Sequence, residues 1–282
     1  MTQAPRTALI TGASSGFGLL TAVTLARRGW RVLATMRDLG RQDRLEAAAH
    51  EAGVRERIEF HELEVSNSDR IRTLGDLVQS RQEPLHALVN NAGFAMPGFT
   101  EDVSDAELRR QFDTNFFGAA AVTRAFLPIF RRQGYGHVVM VSSVGDRMAV
   151  PGLGSYNASK FALEGWSEAL RLEMKPVGIQ VVLVEPGSFE TNIWNAQPSS
   201  GMLDPKSPNA ARTTRWRDRM LSDVKRADPR AVAELIADIL HNPRPRLRYV
   251  IGKDARLGLL MRRLLPASLF ELAIIKGTGA DR

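Results

Sequence analysis

The sequence between the first apolar run of the chain and its first helical pattern is Thr11-Gly12-Ala13-Ser14-Ser15-Gly16-Phe17-Gly18. Gly12 allows a tight turn, Gly16 lets the backbone approach a phosphate, and Gly18 lets a helix pack closely against a strand. The first turn of a helix also offers free N–H groups and a partial positive charge to phosphates. Glycine occurs in ordinary turns as well, so the position of these glycines between a strand and a helix is what predicts nucleotide binding.

Strand-like and helix-like stretches alternate along the rest of the chain. This alternation predicts parallel strands joined by helical crossovers, and strands that are apolar on both faces predict helices on both sides. The predicted fold class is therefore α/β, a single-domain, doubly wound Rossmann-type parallel sheet of about seven strands with helices on both faces. The strands are predicted at residues 7–11, 31–36, 58–65, 87–91, 137–142, 180–185 and 248–251, and the clearest helices at 17–28, 105–130, 155–174 and 231–240.

Two segments depart from this alternation. We expect residues 1–254 to form the dinucleotide-binding and catalytic domain, interrupted at 188–226 by an inserted substrate loop rich in Pro, Gly, Ser and Arg. Residues 255–282 form an apolar and basic extension, in which Arg262 and Arg263 argue against a membrane span. This extension has three open interpretations: a weak contact with a membrane surface, a cover over the pocket, or a subunit contact.

The composition excludes several kinds of site. The chain has no cysteine, which rules out disulfides, thiolate metal sites and cysteine nucleophiles, and we predict no metal site. It starts without the long apolar stretch of a signal peptide, so we expect a cytoplasmic protein. The net charge is +7, and residues 201–282 alone carry +8, from 17 Lys+Arg and 9 Asp+Glu. This excess could mark an anionic partner, but 32 Arg against 6 Lys favours a compositional bias, and we expect no nucleic acid partner.

A tyrosine and a lysine four residues apart form the candidate reacting centre. In a helix this spacing places Tyr156 and Lys160 on one face, and the ammonium is expected to lower the pKa of the phenol. The tyrosine can then exchange a proton with a substrate oxygen. Ser143 lies at the C-terminal end of a predicted buried strand, where parallel sheets bind their ligands. The neighbouring Ser142 is the alternative hydroxyl.

Together these motifs resemble the signature of the short-chain dehydrogenase/reductase family. The glycine turn has the spacing G-x-x-x-G-x-G, although Phe17 stands where the family commonly has isoleucine, and five further motifs follow over residues 7–252. The Met-Arg-Asp-Leu stretch at 36–39 and the loop that starts at Ser143 look like the 17β-hydroxysteroid and retinol dehydrogenase branch. The further motifs are Asn90-Asn91-Ala92-Gly93, Asn115, Ser143, Tyr156 with Lys160, and Pro186-Gly187.

The resemblance implies a role for each matching residue. Tyr156 and Lys160 exchange the proton, Ser143 rather than Ser142 binds the substrate oxygen, and Asn115 holds a water that links the lysine to a proton relay. Glu64 stands where the family usually has an aspartate near adenine. The implied cofactor-binding residues are Gly12, Ser14, Ser15, Gly16, Phe17, Gly18, Arg37, Glu64, Val65, Asn91, Ala92, Gly93, Tyr156, Lys160, Pro186, Gly187 and Thr191.

The end of the second strand bears on the choice between NADP and NAD. An acidic residue there would accept hydrogen bonds from the ribose hydroxyls and select NAD, but Met36 occupies the position. Arg37 follows directly, and a guanidinium suits a 2′-phosphate. Within the family a basic residue here implies NADP(H), which is the predicted cofactor. An NAD-dependent alcohol dehydrogenase is the alternative.

The predicted function is an NADP(H)-dependent oxidoreductase that moves a hydride between nicotinamide and a carbonyl or alcohol. The apolar pocket loops predict a small lipophilic substrate, and the branch implies a steroid, retinoid or long-chain compound. The alternative class is a non-catalytic NADP(H)-sensing protein. The family also implies a homodimer or homotetramer through the helices of Asn115 and Tyr156. Asp146 and Arg147 interrupt the apolar loop and could contact a polar group or each other. The apolar loop residues are Phe94, Met96, Phe99, Val144, Met148, Val150, Phe189, Trp194, Met202 and Leu203.

Overall fold

Seven parallel strands form one sheet in the order β3-β2-β1-β4-β5-β6-β7. The computed structural model describes residues 5–195, 198–221 and 226–281. The predicted α/β fold class is confirmed. The strands are β1 Thr7–Ile10, β2 Arg31–Met36, β3 Ile58–Glu62, β4 Ala87–Asn90, β5 Gly136–Val141, β6 Ile179–Pro186 and β7 Arg248–Ile251.

Helices cover both faces of this sheet. Successive strand residues point to opposite faces, so Ala8 and Ile10 pack with α1, α2 and α8, while Leu9 packs with α3, α5 and α6. Every strand in the middle of the sheet is therefore buried on both sides, as its continuous apolar sequence predicts. The helices are α1 Gly16–Arg27, α2 Asp43–Glu51, α3 Ser68–Ser80, α4 Asp105–Phe112, α5 Ala119–Gln133, α6 Gly154–Met174, α7 Ala210–Leu221, α8 Arg230–His241, α9 Lys253–Leu264 and α10 Ala267–Thr278.

Two predicted boundaries are wrong in ways that matter for the site. β3 ends at Glu62 and not at residue 65, so Glu64 and Val65 lie in the turn that follows the strand. The helix predicted at 105–130 is divided by a π-helical turn, Asp113–Gly118, between α4 and α5. A π turn carries one extra residue per turn, and an apolar pattern read over 26 residues does not reveal it.

The inserted loop and the C-terminal extension pack against each other above the carboxyl ends of the strands. The insertion contains α7, which the sequence did not predict, and Trp216 of this helix donates a hydrogen bond to the carbonyl of Pro151 at 2.8 Å. The guanidinium of Arg212 donates to the carbonyl of Ala280 at 3.0 Å, which ties α7 to the end of the described chain. No helix within residues 5–195, 198–221 and 226–281 is long and apolar enough to cross a bilayer.

Candidate active site

A cavity of about 1080 Å³ opens at the carboxyl ends of the strands, where the strand order reverses between β1 and β4. Most of the predicted site residues line it. Gly18 and Asn115 do not, and both lie behind its wall. The predicted residues in the wall are Gly12, Ser14, Ser15, Gly16, Phe17, Arg37, Glu64, Val65, Asn91, Ala92, Gly93, Ser143, Tyr156, Lys160, Pro186, Gly187 and Thr191.

The glycine turn lies too close to the loop after β4 for a side chain on Gly12. Gly12 at φ +68° and Gly16 at φ +56° both have left-handed backbone. A Cβ on Gly12 would lie 2.8 Å from the Cα of Ala92, so the turn passes directly against the loop after β4. The hydroxyl of Thr11 fixes this approach because it accepts the backbone N–H groups of Asn91 and Ala92, each at 3.0 Å. The open turn and the start of α1 therefore fit a pyrophosphate.

The loop after β6 lies opposite this turn. A Cβ on Gly16 would be 3.7 Å from the Cβ of Thr191. The rings of Phe17 and Phe189 meet edge to face with their centroids 5.7 Å apart. The start of α1 and the loop after β6 thus form two walls of one channel, which suits an extended dinucleotide.

Asp254 is a cavity residue that the sequence did not predict. Its Oδ2 accepts the backbone N–H of Ser188 at 2.6 Å, and a Cβ on Gly187 would lie 2.4 Å from its Oδ1. Asp254 therefore holds the loop after β6 from the first turn of α9. Its sequence position, 66 residues beyond Ser188, offers no signal of this contact.

Arg37 and Glu64 lie together at the end of the cavity that is formed by the turns after β2 and β3. The Nε of Arg37 is 3.7 Å from the Oε2 of Glu64, and the Arg37 side chain is 71% exposed. Arg41 also lines this end and was not predicted. The side chain of Asp38 accepts the N–H of Gly40 and starts the short 3₁₀ turn that contains Arg41. This end of the cavity therefore carries two guanidinium groups beside the carboxylates of Asp38 and Glu64.

Tyr156 and Lys160 lie one turn apart on α6 and are both buried at the cavity wall. The Lys160 ammonium is 5.8 Å from the centre of the Tyr156 ring and donates to the carbonyl of Val141 at 2.9 Å. The hydroxyl of Ser143 lies beside Tyr156, because a Cβ on Gly145 would be 3.3 Å from the Oγ of Ser143 and 3.4 Å from the Tyr156 ring. The structure thus pairs Tyr156 with Ser143 and not with Ser142.

Burial controls the protonation of this pair. Loss of hydration raises the pKa of Tyr156 to about 12, although the neighbouring Ser143 hydroxyl acts in the opposite direction. Burial lowers the pKa of Lys160 to about 8, and Asp146 opposes this shift only in its ionised form. The expectation that the ammonium lowers the tyrosine pKa is wrong here, because desolvation of the phenolate dominates. Tyr156 therefore keeps its proton at neutral pH and can act as a general acid.

Asn115 lies in the π turn and binds two elements at once. Its Oδ1 accepts the N–H of Phe94 at 3.0 Å, and its Nδ2 donates to the carbonyl of Phe94 at 2.9 Å and to the hydroxyl of Ser159 at 3.1 Å. Ser159 in turn donates to the carbonyl of Tyr156. Asn115 is therefore a clamp that holds the loop after β4 against α6, and its water-holding role stays a prediction.

A buried carboxylate cluster lies behind the reacting pair. Oxygens of Asp146, Glu164 and Glu185 lie within 4.8 Å of one another. Arg248 pairs with Glu164, and Arg147 lies 3.4 Å from Glu185. Burial, together with the charge of Glu185, raises the pKa of Asp146 to about 8, so this residue carries a proton at neutral pH. Of the two alternatives for Asp146 and Arg147, contact with polar groups is the one observed, since Arg147 bonds to Glu185 and Asp146 lies among the buried acids.

An Asp146→Asn variant is expected to gain stability over the parent chain as the pH rises. The pKa of Asp146 is raised above its ordinary value of 3.8, so the folded chain binds more protons than the unfolded chain between about pH 4 and about pH 8. The free energy of unfolding of the parent therefore falls across this window, and asparagine does not titrate. Urea unfolding near both ends of the window measures the difference, with Asp76→Asn on α3 as the control. A difference that is independent of pH would contradict the buried, protonated state.

The substrate end of the cavity is mostly apolar. Five of the predicted loop residues line it: Phe94, Val144, Met148, Val150 and Phe189. Phe99 and Met202 are instead buried in a separate core cluster with Trp216, Met96 is buried, and Leu203 is exposed. The side chain of Trp194 lies outside the described residues. Unpredicted apolar members of the wall are Leu153, Ile193 and Met220.

Comparison with known proteins agrees with this geometry. The family model described as short chain dehydrogenase matches residues 6–200. The uncharacterized oxidoreductase YusZ of Bacillus subtilis (strain 168) is 41% identical over 275 residues, which cover 95% of this chain and 97% of that protein. Retinol dehydrogenase 8 of Homo sapiens is 37% identical over 260 residues, 88% of this chain and 82% of that protein. The crystal structure of a short-chain dehydrogenase/reductase from Burkholderia phymatum in complex with NAD is 28% identical with a TM-score of 0.76, covering 92% of this chain and 95% of that one.

The fold and the reacting centre are those of an oxidoreductase that uses a nicotinamide dinucleotide. Because the family model matches most of its length and relatives above 30% identity cover nearly all of it, the chain belongs to the short-chain dehydrogenase/reductase family. The predicted family resemblance is confirmed.

Proposed function

We propose that the protein is an NADP(H)-dependent reductase of lipophilic ketones or aldehydes. The observation that carries this proposal is the meeting of Ser143, Tyr156 and Lys160 at the wall of the cavity that the glycine turn also lines. A proton donor and a candidate dinucleotide site share one cavity, as reduction of a carbonyl requires. The test is oxidation of NADPH by the purified protein with a panel of lipophilic aldehydes and ketones, and no turnover across the panel would favour an NADP(H)-sensing protein.

Ser143, Tyr156 and Lys160 have different roles in the proposed proton transfer. When bound, the dinucleotide supplies the hydride to the carbonyl carbon. Ser143 donates a hydrogen bond to the carbonyl oxygen, and the neutral phenol of Tyr156 gives this oxygen its proton. The ammonium of Lys160, held by the carbonyl of Val141, is the nearby positive charge that stabilises the phenolate left behind.

The substrate class follows from the cavity wall. Apolar side chains dominate the half of the cavity beside Tyr156, and such a wall binds ligands by burying their apolar surface. A steroid, retinoid or long-chain carbonyl matches this chemistry. The similarity to retinol dehydrogenase 8 supports the same class.

The preference for NADP(H) rests on Arg37 and Arg41 at the adenosine end. Arg37→Gln is expected to weaken NADPH binding roughly tenfold to a hundredfold, because hydrogen bonds between charged groups contribute about 1.5–3 kcal/mol. Binding of NADH, which lacks the 2′-phosphate, should change little. Fluorescence titration with both nucleotides measures the effect, with the exposed Arg44→Gln on α2 as control. Equal losses for both nucleotides would favour the NAD-dependent alternative, in line with the NAD-bound relative.

A further inference from the structure

The last two helices of the described chain, α9 and α10, leave most of their apolar side chains exposed. We call them the C-terminal helix pair, residues 253–278. Within this pair, which the structure describes throughout, only Ala255 and Thr278 are buried. The exposed large apolar residues are Leu257, Leu260, Leu264, Leu269, Leu272 and Ile275.

These apolar residues form a face on each helix. Leu257, Leu260 and Leu264 are three and four positions apart on α9, and Leu269 and Leu272 are three apart on α10, so each set shares one side of its helix. Leu264 is 68% exposed and Leu257 is 58% exposed. Isolated exposed leucines are ordinary, but a continuous series over two successive helices marks an interaction surface.

The same helix pair is basic. It carries five cations and two carboxylates, and one of those carboxylates, Asp254, already binds the backbone of Ser188. Among residues 5–195, 198–221 and 226–281, no ion pair involves any of the five cations. The cations are Lys253, Arg256, Arg262, Arg263 and Lys276.

The helix pair also adjoins the mouth of the cavity. Asp254 and Ala255 at the start of α9 line the cavity. One turn later a Cβ on Gly258 would lie 2.8 Å from the terminal carbon of Met148, which lines the cavity too. Anything that covers the exposed leucines of α9 is therefore next to the apolar, substrate end of the site.

We propose that the C-terminal helix pair docks on the surface of an anionic phospholipid bilayer. Its leucines enter the boundary between headgroups and acyl chains, and its arginines and lysines bind the phosphates. In this orientation the cavity opens beside the bilayer, which would give it access to membrane-dissolved carbonyl compounds. This access of carbonyl compounds to the cavity rests on the proposed function, whereas the docking itself does not.

The charge of the C-terminal helix pair favours an anionic bilayer over a second copy of the chain. In a twofold contact each face meets its own equivalent, so the unpaired cations of one helix pair would approach those of the other. Anionic headgroups would neutralise these same charges. The charge complementarity therefore favours a lipid surface over self-association.

The experiment measures cosedimentation of the full chain with vesicles of phosphatidylcholine, with and without phosphatidylglycerol. We expect binding that requires phosphatidylglycerol and weakens as salt rises. The combined variant Leu257→Ser, Leu260→Ser and Leu264→Ser should bind at least about tenfold more weakly, because its apolar area is lost. Its control is Leu77→Ser with Leu172→Ser, two exposed leucines on α3 and α6.

A charge variant gives an independent measurement. Arg262→Gln with Arg263→Gln should weaken vesicle binding about tenfold to thirtyfold. Arg131→Gln with Arg132→Gln, an adjacent arginine pair in the last turn of α5, should leave it unchanged.

Three results would overturn the proposal. They are no binding to anionic vesicles, equal binding by the leucine variant and the parent, or light scattering in which the leucine variant dissociates an oligomer while vesicle binding is unchanged. The last result would assign the face to a second copy. Turnover of a soluble aldehyde without vesicles tests the proposed function separately, and the leucine variant should retain it.

Discussion

A Tyr156→Phe variant is expected to reduce carbonyl compounds with a kcat/KM lower by a factor of about 10²–10⁴, the usual contribution of a positioned proton donor. Phenylalanine preserves the ring that packs among the buried residues beside Leu153 and Trp216, but it has no proton to give. The loss should appear in kcat because the phenol acts on the reacting oxygen. Steady-state oxidation of NADPH with a lipophilic ketone measures it.

Two controls separate a chemical loss from a folding loss. Tyr135→Phe makes the same change at a tyrosine that is 44% exposed and directly precedes β5, at the end of the strand away from the cavity, and its activity should match the parent. Fluorescence titration should show that Tyr156→Phe still binds NADPH within a few-fold of the parent. Full activity in Tyr156→Phe would overturn the assignment of the proton donor, and with it the proposed mechanism.

Gly18→Ala is expected to damage both the fold and the nucleotide site. A Cβ on Gly18 would lie 2.4 Å from the side-chain nitrogen of Asn91 and 2.4 Å from the carbonyl oxygen of Gly12. That nitrogen donates to the carbonyls of Thr11 and Gly12 at 2.9 and 3.0 Å, so the methyl displaces the group that holds the turn. We expect a loss of about 1–3 kcal/mol in the free energy of unfolding, with much weaker NADPH binding.

Gly75→Ala is the matched control for this change. Gly75 also lies inside a helix, α3, and a Cβ there would have no heavy atom within 4 Å. Alanine should therefore stabilise the fold by about 0.5–1 kcal/mol through its higher helix propensity. Urea unfolding measures the change in the free energy of unfolding, which should be negative for Gly18→Ala and positive for Gly75→Ala. If Gly18→Ala were as stable as the parent and bound NADPH normally, the close approach of Gly18 to Asn91 would not be needed for stability or for nucleotide binding.

The chain's local patterns were sufficient to predict the sheet, because both faces of each strand and one face of each helix must be apolar in a doubly wound fold. The glycine turn and the four-residue spacing of Tyr156 and Lys160 are likewise local, and both motifs line the same cavity. The helix boundary at the π turn was not predictable in this way. It depends on Asn115 and its contact with Phe94, which is 21 residues away.

The properties that depend on burial or on contacts between distant residues could not be predicted from the sequence. Proximity of Lys160 in sequence suggested a lowered tyrosine pKa, but desolvation inside the protein has the larger effect and raises it. Asp146 and Glu185 are 39 positions apart, and the raised pKa of Asp146 arises only because the fold buries it and brings Glu185 near. Asp254 reaches the loop after β6 for the same reason. The sequence alone thus determined the fold, which follows from local periodicity, and it indicated the candidate reacting groups through their spacing together with the family resemblance. The protonation of those groups and the exposed face of the C-terminal helix pair depend on which atoms the fold removes from water, and only the tertiary structure shows that.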